Sequence, residues 1–264
     1  MVFLITSCYG KDIRYESQIN LSESVIKDFQ RKYNKRQIPF TLDFPGNYGM
    51  PVVRIKLDGM YFYFVVDTGG SGNMLTGNGI LKSKVIATKK KMTYEKWLDK
   101  NGFDLRENNV YGDFIDGVLG YKFLSKYKTV VFDYKTKYLM FNKRISNKSL
   151  IPMELFHKQL YINIKFNEKE YKSLIDTGSN MFVISNEFLY DNIKEENAEG
   201  IYSFDISLAD IYYEKITAYS YKYDKWSGEQ KPNDLMNRIC LIGYPFFKDK
   251  IVYFEMDKLL FGIN

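Results

Sequence analysis

From residue 37 onward the chain is written in short apolar runs separated by turn residues. Residues 52–57 end in an alternation, Val53-Arg54-Ile55-Lys56-Leu57, the period-two pattern of a strand with one buried face. Asp58-Gly59 follows, a pair suited to the backbone of a two-residue hairpin turn, and residues 61–66 read as the returning strand. The pattern recurs later. Residues 161–166 alternate in the same way, 167–172 supply a turn region and 173–175 return. The two segments superpose without a gap, setting Val53 on Ile162, Ile55 on Ile164, Leu57 on Phe166 and Val66 on Ile175. A second pair of matches lies downstream. Val118-Leu119-Gly120-Tyr121-Lys122-Phe123 corresponds to Leu241-Ile242-Gly243-Tyr244-Pro245-Phe246, and each is followed by a strand and hairpin, over 129–141 and 251–261. Landmarks in the same order in both halves define an internal repeat. The chain therefore divides into residues 1–36, a first lobe over 37–145 and a second over 155–264, with polar residues 142–149 as the linker. Within 9–36 one helix is expected, capped by Ser22 or Ser24, with Val25, Ile26, Phe29 and Tyr33 near one face.

Composition narrows the chemistry. Of the 264 residues 45% are hydrophobic and 27% charged, which is a folded globular balance, and 23 Tyr and 20 Phe against 6 Pro favour β structure. The net charge of +6 is spread along the chain apart from Lys89-Lys90-Lys91, with no basic arm, so no nucleic-acid partner is expected. His157 is the sole histidine, and Cys8 and Cys240 are the sole cysteines. That inventory argues against a disulfide framework, a zinc site and a histidine-dependent nucleophile. Carboxylates are left to carry any chemistry, without metal or cofactor. Two of them end equivalent strands, in Asp67-Thr68-Gly69 and Asp176-Thr177-Gly178. Two carboxyl groups brought close together cannot both ionise, so one can act as base while the other acts as acid.

A hydrophobic strand ending in Asp-Thr-Gly, followed further on by two apolar residues and Gly, resembles the active-site half of aspartic peptidases. Pepsin-like members carry two such halves in one chain, whereas retropepsins carry one and dimerise. This chain carries both, in lobes closer to retropepsin size, and residues 37–40 and 51–69 are also similar to bacterial retropepsin-like peptidases. The resemblance spans roughly residues 37–264. It implies a mostly β fold of two pseudo-symmetric, acid-protease-like β-barrel lobes with an active-site cleft between them. It also implies a water held between Asp67 and Asp176 as the catalytic pair. Thr68 and Thr177 would bond across the lobe interface, and Gly69 and Gly178 would allow close backbone approach. Ser179 would hydrogen-bond the outer oxygen of its carboxylate. At the matching place in the first half stands Gly70, which has no hydroxyl, with Ser71 the next candidate. A mobile hairpin covering the substrate is expected within 80–115 or 195–238, with Tyr94, Trp97, Tyr212, Tyr213 and Trp226 as aromatic candidates. The implied activity is that of an aspartic endopeptidase acting on a peptide or protein substrate, a monomer with an internal pseudo-dimer. The alternative is an inactive protein of the same fold that binds extended peptide by strand addition.

The first eight residues, MVFLITSC, are apolar, and Ile5-Thr6-Ser7-Cys8 is loosely similar to the lipobox of bacterial lipoproteins, without a basic segment ahead of it. This makes lipidation of Cys8, membrane anchoring and an extracytoplasmic location an expectation. No apolar run of about 18 residues predicts a spanning helix.

Overall fold

The computed structural model describes residues 37–45, 47–105, 111–143, 149–193, 200–220 and 238–264. The helix expected within 9–36 and Cys8 lie outside the described residues.

The first half opens with β1 (Gln37–Phe44), β2 (Asn47–Leu57) and β3 (Met60–Val66). Val53, Ile55 and Leu57 of β2 are all buried, as the alternation requires. Asp58 and Gly59 both take positive φ, 49° and 90°, and close a two-residue turn that sets Leu57 opposite Met60. There follow β4 (Asn73–Leu75), helices α1 (Gly77–Lys89) and α2 (Tyr94–Asn101), β5 (Asp104–Leu105), β6 (Gly117–Leu119), the short helix α3 (Tyr121–Leu124), β7 (Thr129–Asp133) and β8 (Tyr138–Phe141).

The second half runs through β9 (Leu150–Pro152), β10 (Glu154–Phe156), β11 (Gln159–Phe166), β12 (Lys169–Ile175), β13 (Phe182–Ile184) and α4 (Asn186–Asn192). It continues with β14 (Ile201–Leu208), β15 (Ile211–Ser220), β16 (Cys240–Ile242), α5 (Tyr244–Phe247), β17 (Ile251–Glu255) and β18 (Leu260–Ile263). Its first turn is tighter than the sequence suggested. Asn167 and Glu168 take φ of 46° and 67°, Phe166 faces Lys169, and the return strand begins four residues before Ser173. Residues 169–172 read as a turn because three of the four, Lys169, Glu170 and Lys172, are charged; backbone pairing holds them in the sheet, with Tyr171 buried.

Two sheets result. One has eleven strands in the order β5-β4-β6-β3-β2-β1-β8-β7-β17-β18-β9. It joins the halves through β7 and β17, which pair antiparallel with Val131 opposite Tyr253. The other runs β10-β11-β12-β16-β13-β15-β14, and β14 returns to β11 through Lys165 and Ser207, closing a six-stranded barrel. The fold is mostly β, with two acid-protease-like lobes related by pseudo-symmetry and a cleft between them. Among the described residues the closed barrel lies in the second lobe, and the strands of the first belong to the large sheet. Ahead of residue 155, β9 pairs with β18 and β10 with β11.

Residues 80–115 hold no β-hairpin among the described residues. Gly79, Ser83, Ile86 and Ala87 are buried on one face of α1, the Thr93 side chain accepts the Lys96 amide to start α2, and Gly102 at φ 69° ends it. The long hairpin of this region belongs to the second half, as β14 and β15. Buried residues of both halves form one continuous core, with Phe62, Trp97, Phe103 and Phe64 stacked in the first lobe and Phe166, Phe188 and Phe204 clustered in the second.

Candidate active site

The two triads are built by the same crossing of strands. β3 lies parallel to β6, with Val66 opposite Leu119, and β4 flanks β6 antiparallel on the other side. The chain leaving β3 must therefore pass over the end of β6, and residues 67–72 make that passage. Asp67 N–H donates to Leu119 O at 3.0 Å, Gly120 N–H to Gly72 O at 3.0 Å and Tyr121 N–H to Gly70 O at 2.7 Å. A Cβ at Gly120 would stand 2.3 Å from both the Gly70 and Gly72 carbonyl oxygens, so only glycine fits the crossing. In the second half β12 and β16 are parallel and β13 runs antiparallel to β16. Asp176 N–H donates to Ile242 O at 2.9 Å, and a Cβ at Gly243 would meet Met181 O at 2.3 Å. The paired apolar-apolar-Gly signals thus mark the strand over which each triad loop folds.

The loops meet at the seam between the lobes. Thr68 Oγ1 donates to Ile175 O at 2.7 Å and accepts Thr177 N–H at 3.1 Å; Thr177 Oγ1 donates to Val66 O at 2.7 Å and accepts Thr68 N–H at 3.1 Å. Both threonines are buried. The glycines let each loop back onto the opposite carboxyl. A Cβ at Gly69 would lie 2.7 Å from Asp176 Cγ, and one at Gly178 would lie 2.6 Å from Asp67 Cγ. The Asp67 and Asp176 carboxyls thus come together at the seam, near enough to act on each other electrostatically.

Their surroundings differ. Gly70 N–H donates to Asp67 Oδ1 at 2.9 Å and the Tyr111 hydroxyl to Asp67 Oδ2 at 2.8 Å, while Asp176 Oδ1 receives Gly178 N–H at 2.8 Å. Asp176 keeps some solvent exposure but is crowded by protein. Loss of hydration, then the charge of Asp67 and the hydrogen bond with it, raise its carboxyl well above the usual carboxylate range. Tyr134, buried at the end of β7 among Phe40, Phe132 and Phe247, is near enough for Asp176 to act on its phenol electrostatically.

Ser179 does not take the role expected of it. Its hydroxyl accepts Met181 N–H at 3.2 Å, closing a turn of its own loop, and it supports the site through its backbone, which accepts Tyr244 N–H. Of the aromatic candidates, Trp97 is a core residue whose Nε1 donates to Asp58 Oδ2 at 2.9 Å, and Tyr94 packs against the core. Tyr212 is exposed on the β14–β15 hairpin and donates to Asp205, Tyr213 donates to Phe246 O, and Trp226 lies outside the described residues. The aromatic residue that does reach the pair, Tyr111, was not among them, although it stands inside the 80–115 window, just ahead of the apolar-apolar-Gly strand. Another unforeseen contact comes from Gln159, whose Nε2 donates to Gly69 O at 2.5 Å. Among the described residues no group of His, Cys, Asp and Glu side chains is arranged to hold a metal ion, and no helix is long and apolar enough to cross a membrane.

Two strand-ending loops that interlock through threonines across a bilobal β fold define the pepsin-like architecture. No family model and no curated protein matches the chain. Among solved structures it is similar to basic 7S globulin from soybean, with a TM-score of 0.51 over 86% of this chain and 94% of that one, at 8% identity. That likeness bears on the fold.

Proposed function

We propose that this chain is an aspartic endopeptidase, of the pepsin and retropepsin kind, that hydrolyses peptide bonds with a water activated between Asp67 and Asp176. The observation that carries the reading is the meeting of two carboxyl groups at the seam, one from each lobe, each backed by the triad glycine of the other lobe. Like charges at that range resist joint ionisation, so the pair holds one proton over a window of pH. The raised carboxyl of Asp176 favours that side as the proton's resting place. The charged member takes a proton from the water as its oxygen attacks the scissile carbonyl carbon. The protonated member gives its proton to the carbonyl oxygen, and a neutral tetrahedral gem-diol forms. Collapse breaks the C–N bond; one gem-diol hydroxyl proton returns to the pair, and the proton first taken from water passes to the leaving nitrogen. Thr68 and Thr177 fix the distance between the carboxyls, and the Gly70 and Gly178 amides orient them.

The test is incubation of purified protein with a mixed peptide library across roughly pH 3–8, beside an Asp176→Asn control. Fragments present with wild type and absent from the control support the reading. Peptide retained without cleavage, equally by both, identifies a binding protein of the same fold instead. The extracytoplasmic, Cys8-anchored placement belongs to the same proposal, and palmitate labelling that persists in Cys8→Ala would remove it.

A further inference from the structure

Neither triad's own loop gives its carboxyl a side-chain hydroxyl, but in the first a residue far along the chain does. Oδ1 of Asp67 faces the second lobe: it accepts Gly70 N–H at 2.9 Å and lies 3.0 Å from the Cβ position of Gly178. Oδ2 is turned towards its own loop, 3.0 Å from the Cβ position of Gly70. Gly70 offers nothing there, and Ser71 is exposed. Tyr111 donates its hydroxyl to that oxygen at 2.8 Å. Tyr111 is itself tethered, because Asn47 at the start of β2, 1% exposed, donates Nδ2 to Tyr111 O at 2.7 Å and to Pro45 O at 3.2 Å. Asp67 thus holds Gly70 and Tyr111 as donors, against Gly178 alone on the side chain of Asp176 among the bonds found. Donors to a carboxylate favour its charged form.

We propose that Tyr111 is a positioning residue of the pair, supplying to the outer oxygen of Asp67 a hydrogen bond that its own loop does not give, and so leaving the shared proton on Asp176. The kinetic consequence rests on the peptidase reading; the titration consequence does not. The ionisable groups set against the pair are the two carboxyls themselves, Tyr111, and Tyr134 from the end of β7. Burial first, then the charge of Asp176, pushes the Tyr134 phenol well above its usual range, so it stays neutral while the carboxyls titrate.

Tyr111→Phe keeps the ring and the backbone tether and removes the hydroxyl. NMR titration of protein carrying carboxyl-labelled aspartate, assigned with Asp67→Asn and Asp176→Asn, reads the lower apparent pKa of the pair. Loss of a donor to the charged form should raise it by about one unit. With a cleaved peptide in hand, the acid limb of kcat should move upward by the same amount with little change in KM, a shift that a merely structural defect would not produce. An unchanged lower transition in Tyr111→Phe overturns the proposal. A protein that cleaves no peptide yet shows the shifted titration removes the peptidase reading and leaves the assignment of Tyr111 standing.

Discussion

Replacing Thr68 with valine is the sharpest probe of the seam. The substitution keeps the branched shape and deletes one hydroxyl, which donates to Ile175 O at 2.7 Å and accepts Thr177 N–H at 3.1 Å. The bonds on the other threonine, to Val66 O and from Thr68 N–H, are left in place. Two hydrogen bonds at about 1 kcal/mol net are lost, and the abandoned amide and carbonyl sit where Thr68 and Thr177 are each 1% exposed. Leaving them unpaired brings the expected loss to about 3 kcal/mol, a large fraction of the stability of an ordinary domain. Urea unfolding followed by tryptophan fluorescence should show a lower midpoint at unchanged slope. Thr177→Val should cost the same, because the two threonines make matching bonds. Thr68→Ser, which keeps the hydroxyl, should lose no more than about 1 kcal/mol for its methyl group. A valine variant as stable as wild type, or a serine variant as damaged as the valine one, would refute the argument that these hydroxyls bind the lobes together.

Gly120→Ala and Gly243→Ala should each cost about 2–3 kcal/mol or fail to fold, since the new methyl group would lie 2.3 Å from a carbonyl oxygen that the crossing holds in place; chemical denaturation measures it. Asp176→Asn should be more stable than wild type near neutral pH. The folded-state pKa of Asp176 is raised, so proton binding favours the fold fully below the ordinary value of 3.8, and that contribution is lost as pH rises through the raised value. Asparagine escapes that loss, so the gap in Tm should widen with pH and close near about pH 3; a constant gap would contradict the linkage. Glu168→Gly should stabilise by about 0.5 kcal/mol, because a side chain now sits at φ 67° in a two-residue turn, and thermal melts would register the gain.

What the sequence disclosed was whatever a local pattern controls. The alternation at Val53, Ile55 and Leu57 was legible because one face of β2 is buried, and the turn at Asp58-Gly59 because glycine tolerates its positive φ. The two glycines after apolar pairs were legible because each is fixed by contacts within a single loop crossing, and the triads because one tripeptide ends both equivalent strands. The helix of residues 94–101 carried a local signal in the cap at Thr93, whereas that of 77–89 buries Gly79 and Ser83 and exposes Leu81 and Val85, so its apolar spacing does not report its buried face. Tyr111 and Gln159 had no such signature. Tyr111 lies 44 positions from Asp67 and Gln159 lies 90 from Gly69, and neither distance in sequence has a period that reports a contact. The continuity of β7 with β17 across the lobes was hidden for the same reason.

The parts that repeat are the parts that must touch. Gly69 and Gly178 repeat because each backs onto the carboxyl of the other lobe, and Thr68 and Thr177 because each completes the backbone of the other. Away from that contact, a lobe needs only to bury an apolar face, and two helices do this in the first half where a hairpin does it in the second. A consequence separates the two kinds of position. Enlarging Ala87, buried on α1, should lower stability by about 1–3 kcal/mol while leaving the titration of the pair unchanged, because α1 is absent from the hydrogen bonds around either carboxyl. Thr68→Val should move both, since the hydroxyl it deletes also sets the spacing of the charges. If the α1 variant shifted the titration as far as the seam variant, the pair would be responding to the packing of the whole lobe, and its acidity could not be assigned to the seam.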